Sequence, residues 1–356
     1  MSKLRGALSQ IQGRFETAER SPYDDGWTQD AEAPPHAQTT VTEERARSII
    51  AKNDSPDIPF EQSINPYRGC EHGCVYCYAR PSHAYLELSP GLDFETKLFA
   101  KTNAVDLLKE ELSKRGYRAK PMAFGTNTDC YQPIERRYKI MRGLIEVLAA
   151  CEHPLTIVTK SALVERDLDI LEPMAKKSLV KVFVSIGTLD RTLARKLEPR
   201  AASPQRRLDV LRALSEKQIP CGVMVAALIP ALNDKTLEQV LEEAPKAGAM
   251  EAAYAIMRLP NELKDLFKEW LAAHYPERAD HVISIIRQVR GGRDNDPRFG
   301  ARMTGTGNFA ELIGKRFEIA CRRFGLNGHG AGRLPAELDC SRFKRPSLSG
   351  QMGLFQ

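Results

Sequence analysis

From about residue 62 onward, short apolar runs alternate with stretches in which apolar residues recur every three or four positions. The runs at 64–69, 121–125, 155–159, 180–186, 221–229 and 251–258 predict strands. Between them, 103–116 carries Val105, Leu107, Leu108 and Leu112 among charged residues, and 135–151 carries Ile140, Leu144, Ile145 and Leu148. These predict helices, as do 163–177, 204–217 and 236–247. Residues 180–186 and 223–229 are nearly unbroken apolar runs, as expected of strands covered on both faces. Six strands alternating with helices predict an α/β fold, a partial (β/α)6 parallel barrel built from right-handed crossovers. In barrels of this kind chemistry gathers at the C-terminal ends of the strands.

The flanks have a different texture. Residues 1–58 are polar and irregular, including Ala33-Pro34-Pro35-His36, and predict a loosely docked N-terminal arm. Within it, Ala46, Ile49 and Ile50 have helical spacing behind Thr42, which predicts a short helix over 41–52. Beyond residue 263, helices are predicted at 263–275, 280–289 and 309–324, with a turn-rich loop at 291–300 and an irregular tail after Leu334. The chain thus divides into an irregular arm (1–58), a core domain (59–262) and a helical, basic C-terminal extension (263–356).

Composition narrows the class. At 42% hydrophobic residues, 356 residues can bury a sizeable core. No run of about 18 apolar residues predicts a membrane span, and no apolar segment follows the first residues, so a cytoplasmic protein without membrane association is expected. Eight cysteines without a signal peptide point to reduced thiols and metal chemistry. Five of them, Cys130, Cys151, Cys221, Cys321 and Cys340, are scattered and read as buried apolar residues. The net charge of +6 is mild, but 287–345 holds 13 Lys/Arg against 6 Asp/Glu, a basic segment able to face phosphate.

The other three cysteines, Cys70, Cys74 and Cys77, stand in C-x3-C-x2-C spacing within eight residues. Soft thiolates at this density suit iron–sulfur centres. A fourth Cys would complete an electron-transfer cluster; none follows in register, so one iron is left open to a substrate or cofactor. The competing use is zinc, with His72 as fourth ligand, although His72 sits close in the chain to its neighbours for a tetrahedron.

With aromatic Tyr76 just before the third Cys, the triplet resembles the signature of radical S-adenosylmethionine (SAM) enzymes. Asn65-Pro66-Tyr67-Arg68-Gly69-Cys70 and Cys77-Tyr78-Ala79-Arg80 resemble the subgroup that includes spore photoproduct lyase. The resemblance covers roughly 60–265. It implies a [4Fe-4S] cluster on Cys70, Cys74 and Cys77, and S-adenosyl-L-methionine on the open iron. It also implies an external electron donor such as a flavodoxin or ferredoxin, and reductive cleavage to methionine and a 5′-deoxyadenosyl radical.

The same resemblance assigns cofactor-binding roles. Gly125, Thr126, Asn127 and Asp129 replace the common Gly-Gly-Glu segment facing the methionyl ammonium, or form an Asx turn before Tyr131. Lys160 and Arg200 are placed to meet the cofactor carboxylate, Ser185 and Asn233 the ribose, and Met257 and Tyr76 the adenine. Each also has an ordinary reading as a core, rim or solvated residue. Arg68 and Arg80 flank the cluster, as anion-stabilising groups or as surface ion pairs. Tyr78 and Tyr131 are hydrogen donors or core tyrosines, and Cys130 follows Asp129 at the rim without matching the lyase cysteine that donates hydrogen.

The substrate stays open at this level. Nucleic acid is one partner, with Arg287, Arg290, Arg293, Arg298, Arg302, Lys315, Arg316, Arg322 and Arg323 available to phosphate, yet no paired aromatics suited to stacking. A protein, peptide or small metabolite is another. An iron–sulfur redox or binding protein without radical chemistry is the third reading.

Overall fold

Apart from the run at 64–69, the apolar runs are strands of one continuous sheet. In chain order the strands are β1 (Thr40–Glu44), β2 (Ile50–Lys52), β3 (Gln62–Ile64), β4 (Tyr67–Arg68) and β5 (Lys97–Lys101). They continue with β6 (Met122–Phe124), β7 (Leu155–Thr159), β8 (Val180–Ser185), β9 (Cys221–Leu228) and β10 (Glu251–Ile256). The computed structural model describes residues 5–16, 38–329 and 337–346; the Ala33–His36 stretch and the chain after 346 lie outside the described residues. Strands β3, β6, β7, β8, β9 and β10 pair in parallel in that order, and β2 joins β3 antiparallel. This is the expected partial barrel with one extra strand at its edge. β1, β5 and β4 form a separate three-stranded sheet.

The helices are α1 (Asp93–Thr96), α2 (Ala104–Ser113), α3 (Glu135–Tyr138), α4 (Ile140–Ala150), α5 (Leu168–Ala175) and α6 (Arg191–Leu197). After them come α7 (Pro204–Glu216), α8 (Leu237–Lys246), α9 (Leu263–His274), α10 (Ala279–Gln288), α11 (Ala301–Thr304) and α12 (Asn308–Phe324). Their apolar faces, such as Leu208, Leu211 and Leu214 of α7 and Leu237, Val240 and Leu241 of α8, join the strands in one buried cluster. Capping follows the sequence. Asp190 Oδ1 accepts from the amides of Thr192 (2.8 Å) and Leu193 (3.1 Å) at the start of α6. Ser203 caps α7, with Pro204 at its first position.

Three expectations need correction. The 41–52 segment is not a helix: its β-branched residues pair as β1 with β5 and as β2 with β3, and sheet pairing overrides the helical spacing. The 64–69 strand breaks at Asn65-Pro66, because Pro66 has no amide hydrogen to give a ladder; the two halves join different sheets. The 135–151 helix is interrupted at Lys139, whose φ of 51° is left-handed. Buried Glu135 stabilises the restart, accepting from the amides of Met141 (3.0 Å) and Arg142 (3.3 Å).

The arm is irregular over 5–16 but firmly held. Arg14 pairs with Glu262 at 2.9 Å, Ser9 donates to Glu269 at 2.7 Å, and Gln10 donates to Asp93 at 2.8 Å. The C-terminal extension closes the other side. Asn327 accepts from the Ala252 amide (2.8 Å) and donates to the Ala252 carbonyl (3.0 Å), occupying groups at the open edge of β10. Arg290, 1% exposed, donates to the carbonyls of Ile256, Met257, Ala301 and Arg302.

Candidate active site at the cysteine loop

The cysteine loop starts where β4 ends, and its shape is set by glycine. Gly73 has φ +68°, and a Cβ there would stand 2.7 Å from Glu95 Oε2. The Cys70 amide donates to the Phe94 carbonyl at 2.9 Å and the Cys77 amide to the Cys74 carbonyl at 3.2 Å. Arg80 fixes the loop from beneath. It is fully buried, pairs with Glu95, and donates to the carbonyls of Cys74 (2.9 Å), Pro90 (3.1 Å) and Gly91 (2.9 Å). This corrects both earlier readings of Arg80: all its reach goes to backbone and Glu95. The Glu95 carboxylate also accepts from the amides of Gly6 (3.0 Å) and Ala7 (2.8 Å), which straps the arm across the loop. Arg68 is half-exposed and pairs with Glu44 at 2.8 Å.

Cys70 and Cys74 are buried and Cys77 is partly so, and their charges act on one another. Burial pushes the Cys74 thiol up to about 12 and Cys70 well above its usual range. Loading a metal group must therefore expel protons from this loop. Among the described residues, no three Cys, His, Asp or Glu side chains gather around a single ion. Three neighbouring thiols can each take one iron of a cubane. His72 Nδ1 lies 3.3 Å from Asp129 Oδ2, without hydrogen-bond alignment.

The segment after β6 wraps against the loop. Gly125 has φ +76°, and a Cβ there would sit 1.9 Å from the Val158 carbonyl oxygen, so only glycine lets the chain turn at this point. The Thr126 carbonyl accepts from the Tyr78 hydroxyl, and the Asn127 amide donates to Asn65 Oδ1 at 3.1 Å. Asp129 is tied on every side. Oδ1 accepts from Thr159 Oγ1 (2.7 Å) and the Tyr131 amide (2.9 Å), and Oδ2 from the Lys160 amide (2.7 Å). Burial alone would raise its carboxyl, but His72 and these donors hold it well below the usual carboxylate range. The Tyr131 contact is the Asx turn given as the alternative reading of this segment.

A buried ionic group backs the loop, from Lys160 after β7, Glu198 after α6 and Arg207 on α7. Lys160 Nζ stands 6.0 Å from the Tyr76 ring centroid. The Tyr76 hydroxyl donates to Glu198, and Arg207 pairs with the same carboxylate while donating to the carbonyls of Ala202 (2.8 Å) and Ser185 (2.9 Å). Burial would lower Lys160 and raise Glu198. Cys74 and Glu198 more than offset it for Lys160, and Arg207 and Lys160 for Glu198, so both stay charged. Met257 is buried in the same apolar cluster as Cys74, Val75 and Tyr76. The fold thus brings Tyr76, Lys160, Glu198 and Arg207 around Cys74, with Met257 in the same apolar cluster and the Ser185 carbonyl held by Arg207.

It does not bring all the candidates there. Asn233 is committed to backbone, accepting from the Ile229 amide (2.6 Å) and donating to Gly187 (2.8 Å) and Ala227 (3.0 Å). Arg200 pairs with Glu71 at 2.8 Å and faces the outer side of the loop. Cys130 and Tyr131 are wholly buried, whereas Tyr78 is 44% exposed with the Arg258 guanidinium 4.6 Å above its ring. Glu198 and Arg207 escaped sequence reading because a buried ion pair leaves no periodic signature; the only hint was a charged residue directly after Leu197.

The Radical SAM superfamily matches residues 64–244. This chain belongs to the Radical SAM superfamily. An uncharacterised protein of Mycobacterium tuberculosis is 37% identical over 266 residues, 74% of this chain and 78% of the relative. One of Methanocaldococcus jannaschii is 29% identical over 215 residues, 60% of this chain and 76% of the relative. Among solved structures, a spore photoproduct lyase variant aligns with TM-score 0.58 and 18% identity, covering 80% of each chain. A second variant, with bound AdoMet and dinucleoside spore photoproduct, aligns equally well, at 18% identity over 80% of each chain. The fold is shared with these lyase structures, and membership implies a [4Fe-4S] cluster and SAM.

Proposed function

We propose that this protein is a radical SAM enzyme that holds a [4Fe-4S] cluster on Cys70, Cys74 and Cys77. The carrying observation is a loop of three mutually close, half-wrapped thiols lying against the ends of parallel strands, with no fourth cysteine beside it. When bound, that group supplies the electron that splits SAM into methionine and a 5′-deoxyadenosyl radical. The chain's own residues hold and shield. Tyr76 and Met257 offer an apolar wall for the adenine. Lys160, kept charged by its neighbours, is placed for the cofactor carboxylate. Gly125, Thr126 and Asn127 line the turn for the ammonium, with Asp129 fixing that turn to β7. Ser185 remains our candidate for the ribose; Asn233 and Arg200 act from farther out, through the backbone and through Glu71.

For the substrate, a nucleic-acid lesion or modification comes first, supported by the shared fold with spore photoproduct lyase. A peptide or small metabolite is the second reading, favoured by the fate of the basic segment. Arg290 is buried, and Arg287, Arg298, Arg302, Arg316 and Arg322 pair with Asp294, Asp296, Asp57, Glu238 and Glu318. Of the nine cations, only Arg293, Lys315 and Arg323 have no ion pair and are not buried, among the described residues. Salt-dependent binding of oligonucleotides separates the two readings.

The test is anaerobic. With the cluster reconstituted and reduced by dithionite, SAM is converted to 5′-deoxyadenosine, and Cys74→Ala abolishes the product. A verified four-iron cluster that yields no 5′-deoxyadenosine, even with cell extract as a substrate source, overturns the radical reading in favour of a redox or binding protein.

A further inference from the structure

Beside the cysteine loop, lined by α6 and the segment leading into α7, lies a hollow of about 800 Å³. Its lining includes Arg5, Arg191, Arg195, Lys196, Arg200 and a single carboxylate, Glu198. That carboxylate does not serve the hollow, since it is buried against Tyr76 and Arg207. The cations are crowded enough to feel each other: burial first and then Arg200 hold the Arg5 guanidinium below its usual range. Arg200 Nε is buried with no acceptor. Arg191 and Arg195 are exposed on α6 and have no ion pair among the described residues. The capped start of α7, at Ser203 and Pro204, adds its positive end to the same hollow. A basic concavity with one committed carboxylate fits an acidic partner.

Position says which partner. The lining is bonded to the cysteine loop: the Arg200 amide donates to the His72 carbonyl (3.2 Å), the Val75 amide to the Leu197 carbonyl (3.1 Å), and Arg200 to Glu71. Glu198, which lines the hollow, is bonded to Tyr76 and Arg207, so an occupant would meet the loop through its backbone partners and this buried pair. On the radical reading above, the protein needs one electron from outside for every cleavage. We infer that this hollow docks an acidic one-electron carrier protein of the flavodoxin or ferredoxin kind. One electron leaves the reduced carrier, which is oxidised by one unit, and the cluster passes from its 2+ to its 1+ state; cleaving SAM consumes that electron and returns it to 2+.

The experiment uses full-length protein, an acidic flavodoxin and an acidic ferredoxin as probes, and the double variants Arg191→Glu/Arg195→Glu and Arg191→Lys/Arg195→Lys. Carrier binding is measured by calorimetry with and without the cluster, at rising salt, and thermal melting checks that both variants fold. The expected result is carrier affinity at least tenfold weaker in the Glu variant and retained in the Lys variant, with affinity falling as salt rises. Carrier-driven 5′-deoxyadenosine formation falls in parallel, while dithionite-driven formation stays at the wild-type rate. Unchanged carrier affinity and carrier-driven rate in the Glu variant would overturn the inference. So would loss of oligonucleotide binding alone, which would assign the hollow to a phosphate backbone. Failure of the dithionite reaction in the wild-type protein would sink the radical reading itself, a separate outcome.

Discussion

His153 shows how one burial decision becomes a pH dependence. It is fully buried, its Nδ1 donates to the Pro154 carbonyl (2.9 Å), and its Nε2 meets the Tyr117 hydroxyl (2.7 Å). Burial lowers its pKa from 6.5 to about 4, the Pro154 contact opposing. The unfolded chain takes up this proton as pH drops through about 6.5, the folded protein only near 4. Stability from His153 is therefore full above pH 6.5 and declines as pH falls to about 4, by on the order of 3 kcal/mol. Urea unfolding of the wild type at pH 7 and pH 5 should show the loss, and His153→Gln should remove most of the difference; an identical pH slope in the variant would refute the assignment. At this scale the sequence was legible where spacing is fixed, as in the three-cysteine signature that marks the superfamily. It did not show the burial of Arg80, Arg207 and Arg290, because an arginine's burial depends on acceptors that the fold gathers and no periodic pattern announces.

At the scale of elements, strands and helices of the barrel were readable because each run faces the same surroundings along its length. Edges were not. The 41–52 segment has apolar residues at helical spacing, yet β5 and β3 offer ladders that no local pattern announces. The break at Lys139 likewise depends on Glu135 capping α4 from within the core. The C-terminal helices attach to the barrel through a comparable device. Arg290 satisfies carbonyls at the end of β10 and in α11 together, so it joins two elements where their own backbone partners run out. Replacing it by Ala strands those carbonyls and should cost roughly 2–4 kcal/mol, read as a lower urea midpoint. A midpoint within error of wild type would mean that water substitutes freely for the guanidinium.

Across the whole molecule, the barrel, the arm and the C-terminal extension converge on one loop. Residues 5–16 reach Glu95, Glu262 and Glu269, closing the cysteine loop with partners up to 260 positions away. Removing residues 1–16 should leave the barrel folded but expose the loop, so that a reconstituted cluster bleaches several-fold faster in air, followed by its visible absorbance; equal bleaching rates would show that the arm shields nothing. No described helix is long and apolar enough to cross a membrane. The same convergence places a built-in optical probe. The chain has two tryptophans, and Trp270, 1% exposed, donates to the Lys196 carbonyl at 3.2 Å and lies with its ring 5.0 Å from that of His274, both residues of the basic hollow's lining. With Trp27 replaced by Phe, the protein's own emission becomes a single-site reporter of that surface, readable without any label and before any cluster is loaded.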